Sequence, residues 1–389
     1  MKILVLNAGS SSLKYQVFTE ESPAGLAPTG VAGVIERIGE SGSEIASHHQ
    51  GLERIIQHLQ ASGVTIDAIG HRVVHGGERF HQSVLIDAEV IAAIREMIAL
   101  APLHNPANLA GIEVAQRLFP GIPQVAVFDT AFHQTMPPVA FRYALPESLY
   151  REHKVRRYGF HGTSHRYVAQ QAALYLQAAA ADLNLITLHL GNGCSATAIA
   201  GGKSVDTSMG MTPLEGLVMG TRCGDLDPAL HFYLQRETGL DSAALENLLN
   251  KQSGLKGMCG VSDMREIQQR AEAGDAVAQL AEALFAYRVK KYIGAYLAVL
   301  GWVDAIVFTG GIGEHSARIR ELVCANLQGL GIRLDTVRNR EAGSGIVEFQ
   351  QPDAGIKLLV IPTNEELEIA RSTATLIPAP PVPTAPHCP

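Results

Sequence analysis

The chain has 389 residues, and 47% of them are hydrophobic, which is enough for substantial cores in two or three domains. Its 31 basic and 38 acidic residues give a net charge of −7, with both signs scattered along the sequence. This pattern argues against nucleic acid or an anionic membrane surface as a partner.

The sequence also lacks the signals of a membrane or secreted protein. No stretch approaches the roughly 18 consecutive apolar residues of a membrane-spanning helix, and the apolar run 3–6 is too short for a secretory signal. The cysteines form no CxxC pair and are odd in number, which predicts free thiols in a reducing, cytoplasmic compartment. They are Cys194, Cys223, Cys259, Cys324 and Cys388.

The first elements predict a strand, a turn rich in Gly and Ser, and a second strand over residues 2–18. The continuous apolar run 3–6 is typical of a strand that is buried on both faces. Residues 184–202 repeat this arrangement in pattern, although not in residue identity, which indicates a duplicated fold.

Helices and further strands alternate along the rest of the chain. Residues 87–101 predict a helix capped by Asp87, and residues 105–119 predict a helix capped by Asn105 with Pro106 in its first turn. A strand follows at 124–128, a long helix near 281–300, and strand–turn–helix patterns at 305–316 and 356–370. The alternation predicts layered α/β domains, and the proline-rich residues 378–389 predict a disordered extension.

Three turns have the composition of phosphate-binding segments. They are "NAGSSSLK" at 7–14, "HLGNG" at 189–193 and "GGIGE" at 310–314. Gly and Ser allow backbone N–H groups to approach a phosphate closely. Taken alone, the first turn is explained equally well as a Ser-rich hairpin turn, the second is better explained as a simple hairpin, and the third is weak evidence for a ligand. The spacing of a Walker loop is absent. Together the three turns favour a nucleotide, which needs several contact points.

The segment "GHRVVHGGERFH" combines histidines with an arginine. A helix would bring His71 and His75 together as zinc ligands, but the two valines between them favour a strand, which separates the two histidines by about 13 Å. Arg72 is the stronger candidate, because its fork of N–H donors matches a carboxylate or a phosphate.

Single polar residues elsewhere have both a functional and a plain structural interpretation. His161 and His165 fit a satisfied structural histidine, Arg222 fits a surface ion pair, and Asp129 and Glu365 fit helix-start or ion-pair carboxylates. As a group they supply the cations and metal donors that phosphoryl transfer needs, because charge builds on the transferred oxygens.

With these motifs in place, the chain resembles the acetate kinase family of the acetate and sugar kinase/Hsp70/actin superfamily. The matching segments span residues 3 to about 370. They are "LVLNAGSSSLK", "GHRVVHGGE", "PLHNP", "VFDTAFH", "YGFHGTSH", "HLGNGCS", "MGTRCGDLDP", "SDMR", "FTGGIGE" and "IPTNEEL".

The resemblance implies an α/β fold of two actin-like (ribonuclease H-like) domains with a central active-site cleft. We expect residues 1–130 with 367–389 in the first domain and residues 131–366 in the second. It also implies a homodimer and a phosphotransferase with a carboxyl group as acceptor, which uses ATP/ADP and Mg²⁺ (or Mn²⁺) to interconvert acetate and acetyl phosphate.

The resemblance further implies roles for individual residues. The catalytic set comprises Asp129, His161, Arg222 and Arg72. The substrate set comprises Arg72, Val74, Leu103, Phe160 and Pro213. The nucleotide set comprises Lys14, His189, Leu190, Gly191, Asn192, Gly193, Asp263, Met264, Arg265, Gly311, Ile312, Gly313, Glu314 and His315. The metal set comprises Asn7 and Glu365. His315 departs from the family pattern, which has Asn at this position.

Three alternatives remain open at this point. A propionate or butyrate kinase shares all phosphate motifs, and only the acyl pocket separates it from an acetate kinase. An actin-like ATP-driven conformational switch has no need for Arg72 and Arg222 at an acyl site. A zinc-dependent hydrolase would use the histidines. The resemblance gives Asp129 the acid/base role, but acetate is already ionised at neutral pH and needs no general base. We therefore expect Asp129 mainly to orient a cation or to bind metal-ordered water.

Overall fold

A computed structural model of the protein describes residues 1–9, 12–21, 25–39, 43–102, 104–341, 343 and 345–377. The chain divides into two compact units, Met1–Ala131 together with the segment from Asn364 onward (unit 1) and Phe132–Thr363 (unit 2). Within the described residues, no helix is long and apolar enough to cross a membrane. The extension predicted at 378–389 lies outside the described residues.

Strands and helices alternate along both units. The strands are β1 (Lys2–Ala8), β2 (Leu13–Glu21), β3 (Gly25–Ile35), β4 (Ala68–Val73), β5 (Val84–Leu85), β6 (Gln124–Phe128), β7 (Asn184–Leu190), β8 (Cys194–Ala200), β9 (Lys203–Thr207), β10 (Ala305–Thr309), β11 (Val347–Glu348) and β12 (Lys357–Val360). The helices are α1 (His48–Ala61), α2 (Ala88–Glu96), α3 (Asn105–Leu118), α4 (Pro138–Phe141), α5 (Glu147–His153), α6 (Gly162–Tyr175), α7 (Ala229–Thr238), α8 (Ser242–Lys251), α9 (Gly254–Cys259), α10 (Met264–Glu272), α11 (Ala276–Leu300), α12 (Gly310–His315), α13 (Ala317–Cys324), α14 (Thr336–Arg340) and α15 (Glu365–Leu376). Single 3₁₀ turns lie at Met97–Ala99, Ala131–Thr135, Ala180–Asp182 and Gln328–Leu330.

Each unit contains one mixed six-stranded sheet, and the two sheets share a single topology. The strand orders are β3-β2-β1-β4-β6-β5 in unit 1 and β9-β8-β7-β10-β12-β11 in unit 2. In both sheets the first three strands form an antiparallel meander, the next two pairings are parallel, and the edge strand is antiparallel. The predicted α/β class, the actin-like architecture and the internal duplication are therefore confirmed.

The core of unit 1 forms on both faces of β1. Ile3, Leu4, Val5 and Leu6 are all at most 1% exposed, as the uninterrupted apolar run predicts. Successive side chains point to opposite faces, so Leu4 and Leu6 pack with apolar residues of α1 and α3, whereas Ile3 and Val5 pack with α15.

The returning helix α15 lies so close to the sheet that β4 requires a glycine. A Cβ atom at Gly70 would lie 2.4 Å from Thr373 Oγ1 and 2.8 Å from Ile369 Cγ2. The backbone of β4 and the face of α15 are therefore in direct contact, which fixes the start of α15 beside the end of β4.

The core of unit 2 is arranged around β10, whose five residues are all buried. The long helix α11 begins at Ala276, behind an N-cap at Asp275 whose carboxylate accepts two backbone N–H groups. It is thus five residues longer at its N-terminus than the apolar periodicity predicts, and its first buried residues are the alanines Ala278 and Ala281 rather than large apolar residues.

One of the two predicted helix caps in unit 1 is correct. Asp87 caps α2 by accepting a hydrogen bond from Val90 N. The prediction of Asn105 as an N-cap is wrong: Asn105 is the first residue of α3, and its buried amide accepts from His75 N and donates to His75 O. The side chain of Asn105 thus bonds to the backbone of His75 instead of to the first turn of α3.

Asn108, one turn later on α3, joins two strand ends in the same way. Its Oδ1 accepts from Val74 N (3.0 Å) and its Nδ2 donates to Ala8 O (2.7 Å). The two amides of α3 therefore hold the backbone at the carboxyl ends of β1 and β4.

We predict that Asn108→Ala destabilises unit 1 by about 2–4 kcal/mol, because it leaves a buried N–H and a buried C=O without partners. Differential scanning calorimetry of the full chain measures the loss as a lower unfolding temperature. Asn250→Ala is the control, since that amide donates to Glu246 O in an exposed turn of α8. An equal change in unfolding temperature for both variants would refute the proposal that Asn108 holds the ends of β1 and β4 together.

Candidate active site

In unit 1, the polar groups lie at the carboxyl ends of three adjacent parallel strands. Asn7 is the second-last residue of β1, Arg72 is the second-last residue of β4, and Asp129 directly follows β6. The parallel register β1–β4–β6 brings these ends to one edge of the sheet, where ligands bind in open α/β sheets.

Arg72 is the centre of this group. Its Nε donates to Asp129 Oδ1 at 3.1 Å, and its Nη2 donates to Asp129 Oδ2, which makes the pair bidentate. Its Nη1 lies 3.4 Å from Asn7 Oδ1, and its Nε lies 3.8 Å from Glu365 Oε2. Burial alone would lower the pKa of Arg72, but the carboxylates of Asp129 and Glu365 outweigh burial and raise it.

Accessibility differs sharply between the partners. The side chain of Asp129 is 1% exposed, whereas that of Arg72 is 20% exposed. The carboxylate is therefore the inner group and holds the guanidinium, whose remaining surface faces outward. This is the geometry of a permanent cation kept in place for an anion.

Asn7 and Glu365 offer an amide oxygen and a carboxylate oxygen, each near a different nitrogen of Arg72. Glu365 opens α15, next to the N-cap Asn364, and burial raises the pKa of its carboxyl. One carboxylate with neutral oxygens is the donor set that Mg²⁺ prefers when phosphate oxygens complete its shell. The two predicted metal ligands thus fit that ion in their chemistry.

Lys14 and Val74 complete the predicted residues of unit 1 that the structure describes. Lys14 lies opposite Asn7 in the β1–β2 hairpin and pairs with Glu366 at 2.9 Å. Val74 is 5% exposed in the loop after β4, held by Asn108. Leu103 and the serines at 10 and 11 lie outside the described residues.

The histidines of the same segment do not form a zinc site. His71 is a buried residue of β4 that hydrogen-bonds Gln124 at 2.8 Å, and burial lowers its pKa to about 4. His75 lies in the loop beyond β4, not in the strand as predicted, and its Nδ1 accepts from Gly77 N. No cluster of three or more His, Cys, Asp or Glu with metal-binding geometry occurs among the described residues.

In unit 2, the "HLGNG" turn is the hairpin between β7 and β8, as its Asn-Gly pair predicts. It is also a close-approach turn. A Cβ atom at Gly193 would lie 2.8 Å from Arg222 Nη2 and 3.3 Å from His161 Nε2, so a side chain at this position would displace the Arg222 guanidinium. The structure therefore brings together three residues that are far apart in sequence: His161, Gly193 and Arg222.

Each of these side chains is held from behind. His161 has a left-handed backbone (φ 56°) at the start of α6, and its Nδ1 lies 2.9 Å from Ser195 Oγ. Its ring stacks on His189 at 4.3 Å. The Nη1 of Arg222 donates to Pro213 O at 2.6 Å, and burial lowers the pKa of this guanidinium.

His189 and Phe160 flank this group. The Nδ1 of His189 lies 2.8 Å from Ser164 Oγ, which also contacts Thr363 Oγ1. Phe160 is 2% exposed, and its carbonyl accepts a hydrogen bond from His133. Leu190 is buried at the end of β7.

A cavity of about 400 Å³ lies beside the 191–193 turn, within the size range of small-molecule sites. The "SDMR" segment at the start of α10 and the Gly-rich turn at α12 form its walls. The lining residues are Gly191, Asn192, Ser262, Asp263, Met264, Arg265, Gln268, Gly311, Ile312, His315 and Ser316. Eight of these were predicted as nucleotide contacts, whereas Ser262, Gln268 and Ser316 were not, although Ser262 belongs to the quoted "SDMR" motif.

Several predicted nucleotide contacts do not line this cavity. Gly313 is buried in α12. Glu314 turns back into its own segment, where Oε1 accepts from Gly310 N (2.9 Å) and Thr363 N (3.2 Å). Its carboxylate thus satisfies the start of α12 itself. Asp263, by contrast, does line the cavity, where it caps α10 and pairs with Arg265, whose hydrogen bonds lower the pKa of Asp263 to about 2.

Known proteins resemble this chain over nearly its whole length. The model of the acetokinase family matches residues 2–371. Acetate kinase from Syntrophobacter fumaroxidans (strain DSM 10017 / MPOB) is 56% identical, covering 97% of both chains. Acetate kinase from Sulfurovum sp. (strain NBC37-1) is 52% identical, covering 97% of this chain and 99% of the relative.

Solved structures agree with these relatives. The crystal structure of Porphyromonas gingivalis acetate kinase has a TM-score of 0.90 at 44% identity, covering 96% of this chain and 99% of that one. A propionate kinase from Francisella tularensis subsp. tularensis SCHU S4 has a TM-score of 0.92 at 45% identity, covering 97% of this chain and 100% of that one. With the family model covering all but the last residues, and with relatives at this identity, the chain belongs to the acetokinase family.

Proposed function

We propose that this chain transfers the γ-phosphoryl group of ATP to acetate, reversibly, giving acetyl phosphate and ADP. The observation that carries the proposal is the convergence of Arg222, His161 and the Gly193 turn beside a nucleotide-sized cavity. A cation, a hydrogen-bond donor and a turn without side chain at one point suit the oxygens of a transferring phosphoryl group.

The transfer step is a direct in-line displacement. An acetate oxygen forms the new bond to the γ-phosphorus as the bond to the β–γ bridging oxygen breaks, and ADP leaves with that oxygen. Negative charge on the three equatorial oxygens is met by Arg222 and His161. The cost of burying Arg222 is already met in the folded protein, so no rearrangement of solvent is needed during the reaction.

Arg72 is the residue that we propose binds the acceptor carboxylate. Acetate is ionised at neutral pH, so the reaction needs no general base. The bidentate pair with Asp129 supports the expectation that Asp129 orients a cation, because its carboxylate is buried behind the guanidinium. Asp129 occupies the Nε–Nη2 edge of the guanidinium, and the exposed part of Arg72 can bind a second carboxylate.

Mg²⁺ (or Mn²⁺) would be held by Glu365 and, directly or through water, by Asn7. When bound, such an ion neutralises phosphate charge and orients the phosphates. The protein's own part is to present these oxygens at the end of β1 and the start of α15, both beside Arg72.

For the nucleotide, we propose the cavity of unit 2, with the 191–193 turn, residues 263–265 and residues 311–315 around it. His315 lines this cavity at the position where the family pattern has Asn. Lys14 is proposed as a further ATP contact once its ion pair with Glu366 opens. The buried apolar residues Val74 and Phe160, with Pro213, are proposed to limit the acyl group.

Propionate is the second candidate acceptor, because a propionate kinase matches this chain as well as an acetate kinase does. One methylene in an apolar pocket changes the free energy by only about 1–3 kcal/mol. Acetate is favoured by the curated relatives, which are acetate kinases.

We also propose that the protein is a homodimer in the cytoplasm. Cys194, Cys223, Cys259 and Cys324 are free thiols here, and a reducing compartment would keep them so. Sedimentation as a monomer would exclude the dimer.

A hydroxamate assay tests the proposed function. Purified protein with ATP, Mg²⁺ and hydroxylamine is expected to give strong signal with acetate, weaker signal with propionate and little with butyrate, because hydroxylamine traps each acyl phosphate as it forms. A preference for a longer acid would keep the mechanism but change the substrate. No acyl phosphate with any acid, from protein that binds ATP, would favour an ATP-driven switch.

Arg222→Ala is expected to lower kcat by about 10³-fold or more, because a transition-state cation is lost. The KM values for ATP and acetate should change little, since the interaction strengthens only in the transition state. Steady-state kinetics with the same assay measures both constants. Arg236→Ala, on an exposed turn of α7, is the control. A rise in KM alone would assign Arg222 to ground-state binding.

Asp129→Asn is expected to lower kcat/KM for acetate by at least about 10-fold, because an amide cannot hold both guanidinium nitrogens. The pH dependence of the remaining rate should keep its shape, as Asp129 takes no proton from acetate. Initial rates between pH 6 and 9 measure both quantities, with the exposed Asp67→Asn as control. Unchanged turnover would remove the orienting role, and loss of one limb of the profile would indicate a base.

A further inference from the structure

Resting on the proposed function, we propose that Ser195, supported by His165 and Thr187, holds His161 as a neutral imidazole with its proton on Nε2. Ser195, His165 and Thr187 are then positioning residues, because they act on the phosphoryl group only through His161. The assignment follows from an unbranched chain of hydrogen bonds inside unit 2 and from counting its protons.

This hydrogen-bond chain consists of four side chains: Thr187, His165, Ser195 and His161. Thr187 Oγ1 lies 2.7 Å from His165 Nδ1, His165 Nε2 lies 2.7 Å from Ser195 Oγ, and Ser195 Oγ lies 2.9 Å from His161 Nδ1. Thr187, His165 and Ser195 are completely buried. Water therefore has no access to the inner three members, and protein groups must satisfy every proton in the chain.

Each inner member has one proton to give. A neutral imidazole has one donor and one acceptor nitrogen, and a hydroxyl has one donor. Burial, reinforced by His133 and His189, lowers the pKa of His165 well below its usual value, so His165 is neutral. All hydrogen bonds of the chain must then run in the same direction, either toward His161 or away from it.

Thr187 decides the direction. Among the residues that the structure describes, the Thr187 hydroxyl has hydrogen-bond contact with His165 alone. If each group donated toward Thr187, this hydroxyl would accept from His165, and its own proton would be a buried donor without an acceptor, which is costly. If the chain runs toward His161, Thr187 donates to His165 Nδ1 and no donor is left over.

The favoured direction fixes the state of His161. His165 Nε2–H donates to Ser195 Oγ, and the Ser195 hydroxyl donates to His161 Nδ1. Because Nδ1 accepts, the proton of the neutral ring is on Nε2, the nitrogen beside Gly193 and Arg222. A protonated His161 would have to donate from Nδ1 as well, which reverses the chain and leaves Thr187 unsatisfied.

Arg222 and His161 therefore have different roles at the phosphoryl group. Arg222 supplies a permanent charge, and His161 supplies a directed N–H without adding a second charge. This is the same logic by which an oriented partner on one ring nitrogen sets the role of the other. The tautomer of His161 is therefore determined by residues that do not contact the substrate.

NMR spectroscopy of the full chain labelled with ¹⁵N-histidine tests the assignment directly. Long-range ¹H–¹⁵N correlations distinguish Nε2–H, Nδ1–H and the imidazolium, and the spectrum of His161→Gln identifies the His161 signals. We expect Nε2–H for His161 at pH 7.5 in the wild-type protein without ligands. An Nδ1–H signal or an imidazolium would overturn the proposal, with no variant needed.

Kinetics of Ser195→Ala gives the second test. We expect kcat to fall at least about 10-fold, a part of the loss seen when a transition-state donor is removed, with KM values within about threefold. Ser204→Ala is the matched control, because Ser204 is an equally buried hydroxyl bonded to His133 at 2.9 Å and lies outside the chain. Equal kcat values for the two variants would overturn the proposal.

Two further variants guard against a general loss of folding. Ser195→Thr keeps the hydroxyl and should restore most of the kcat. Thr187→Val keeps the shape but removes the first donor, so kcat should fall and the Nε2–H signal of His161 should weaken; an unchanged spectrum and rate would contradict the chain. If the wild-type protein forms no acyl phosphate, the proposed function fails, whereas the tautomer measurement is unaffected.

Discussion

The ion pair between the buried Asp129 carboxylate and the partly exposed Arg72 guanidinium is the interaction on which the anion-binding end of unit 1 depends. Loss of Arg72 would leave the carboxylate of Asp129 as a buried charge without its bidentate partner, which is strongly destabilising. The pair forms only if β4 and β6 are parallel and in the observed register, with Val73 opposite Phe128 and Asp129 next along the chain. Asn105 and Asn108 then fix the loop that leaves β4. The ion pair therefore depends on the register of β4 and β6, and the position of α3 fixes the loop that follows Arg72.

The two units use the same sheet topology for different chemistry. In both, a hairpin follows the central parallel strand, so a tight turn lies at the sheet edge where ligands bind. Unit 1 surrounds its edge with carboxylates and one arginine, whereas unit 2 surrounds its edge with glycine turns, histidines and Arg222. The difference follows from the residues at the strand ends: Asn7 and Arg72 in the first sheet, and in the second His189 and, directly after β10, Gly310. A duplicated scaffold therefore presents charged groups at the same kind of sheet edge in each unit, with different side chains in each.

Local patterns predicted the elements well because they depend on neighbouring residues. The hairpin at 2–18, the Asp87 cap and the strand before Asp129 are of this kind. Failures occurred where a distant partner took over a side chain. Asn105 looked like a helix cap but binds the loop at His75. The hydrogen bonds of Glu314 with Gly310 N and Thr363 N were likewise not predicted, and its role as a nucleotide contact stays a prediction. The Thr187–His165–Ser195–His161 chain was beyond prediction from sequence, since its contacts join residues separated by 22–34 positions.

The histidines of unit 2 show why burial, not number, decides what such residues do. His133 and His165 are fully buried with their rings 5.7 Å apart, and His165 lies near His189. Burial lowers the pKa of His133 to about 4, and burial together with His133 and His189 lowers the pKa of His165 well below its usual value. The cluster is therefore stable only when neutral, with hydroxyls of Ser and Thr between the rings. A neutral cluster leaves arginine as the source of positive charge, and it makes the direction of each N–H, rather than its charge, the property that the fold controls.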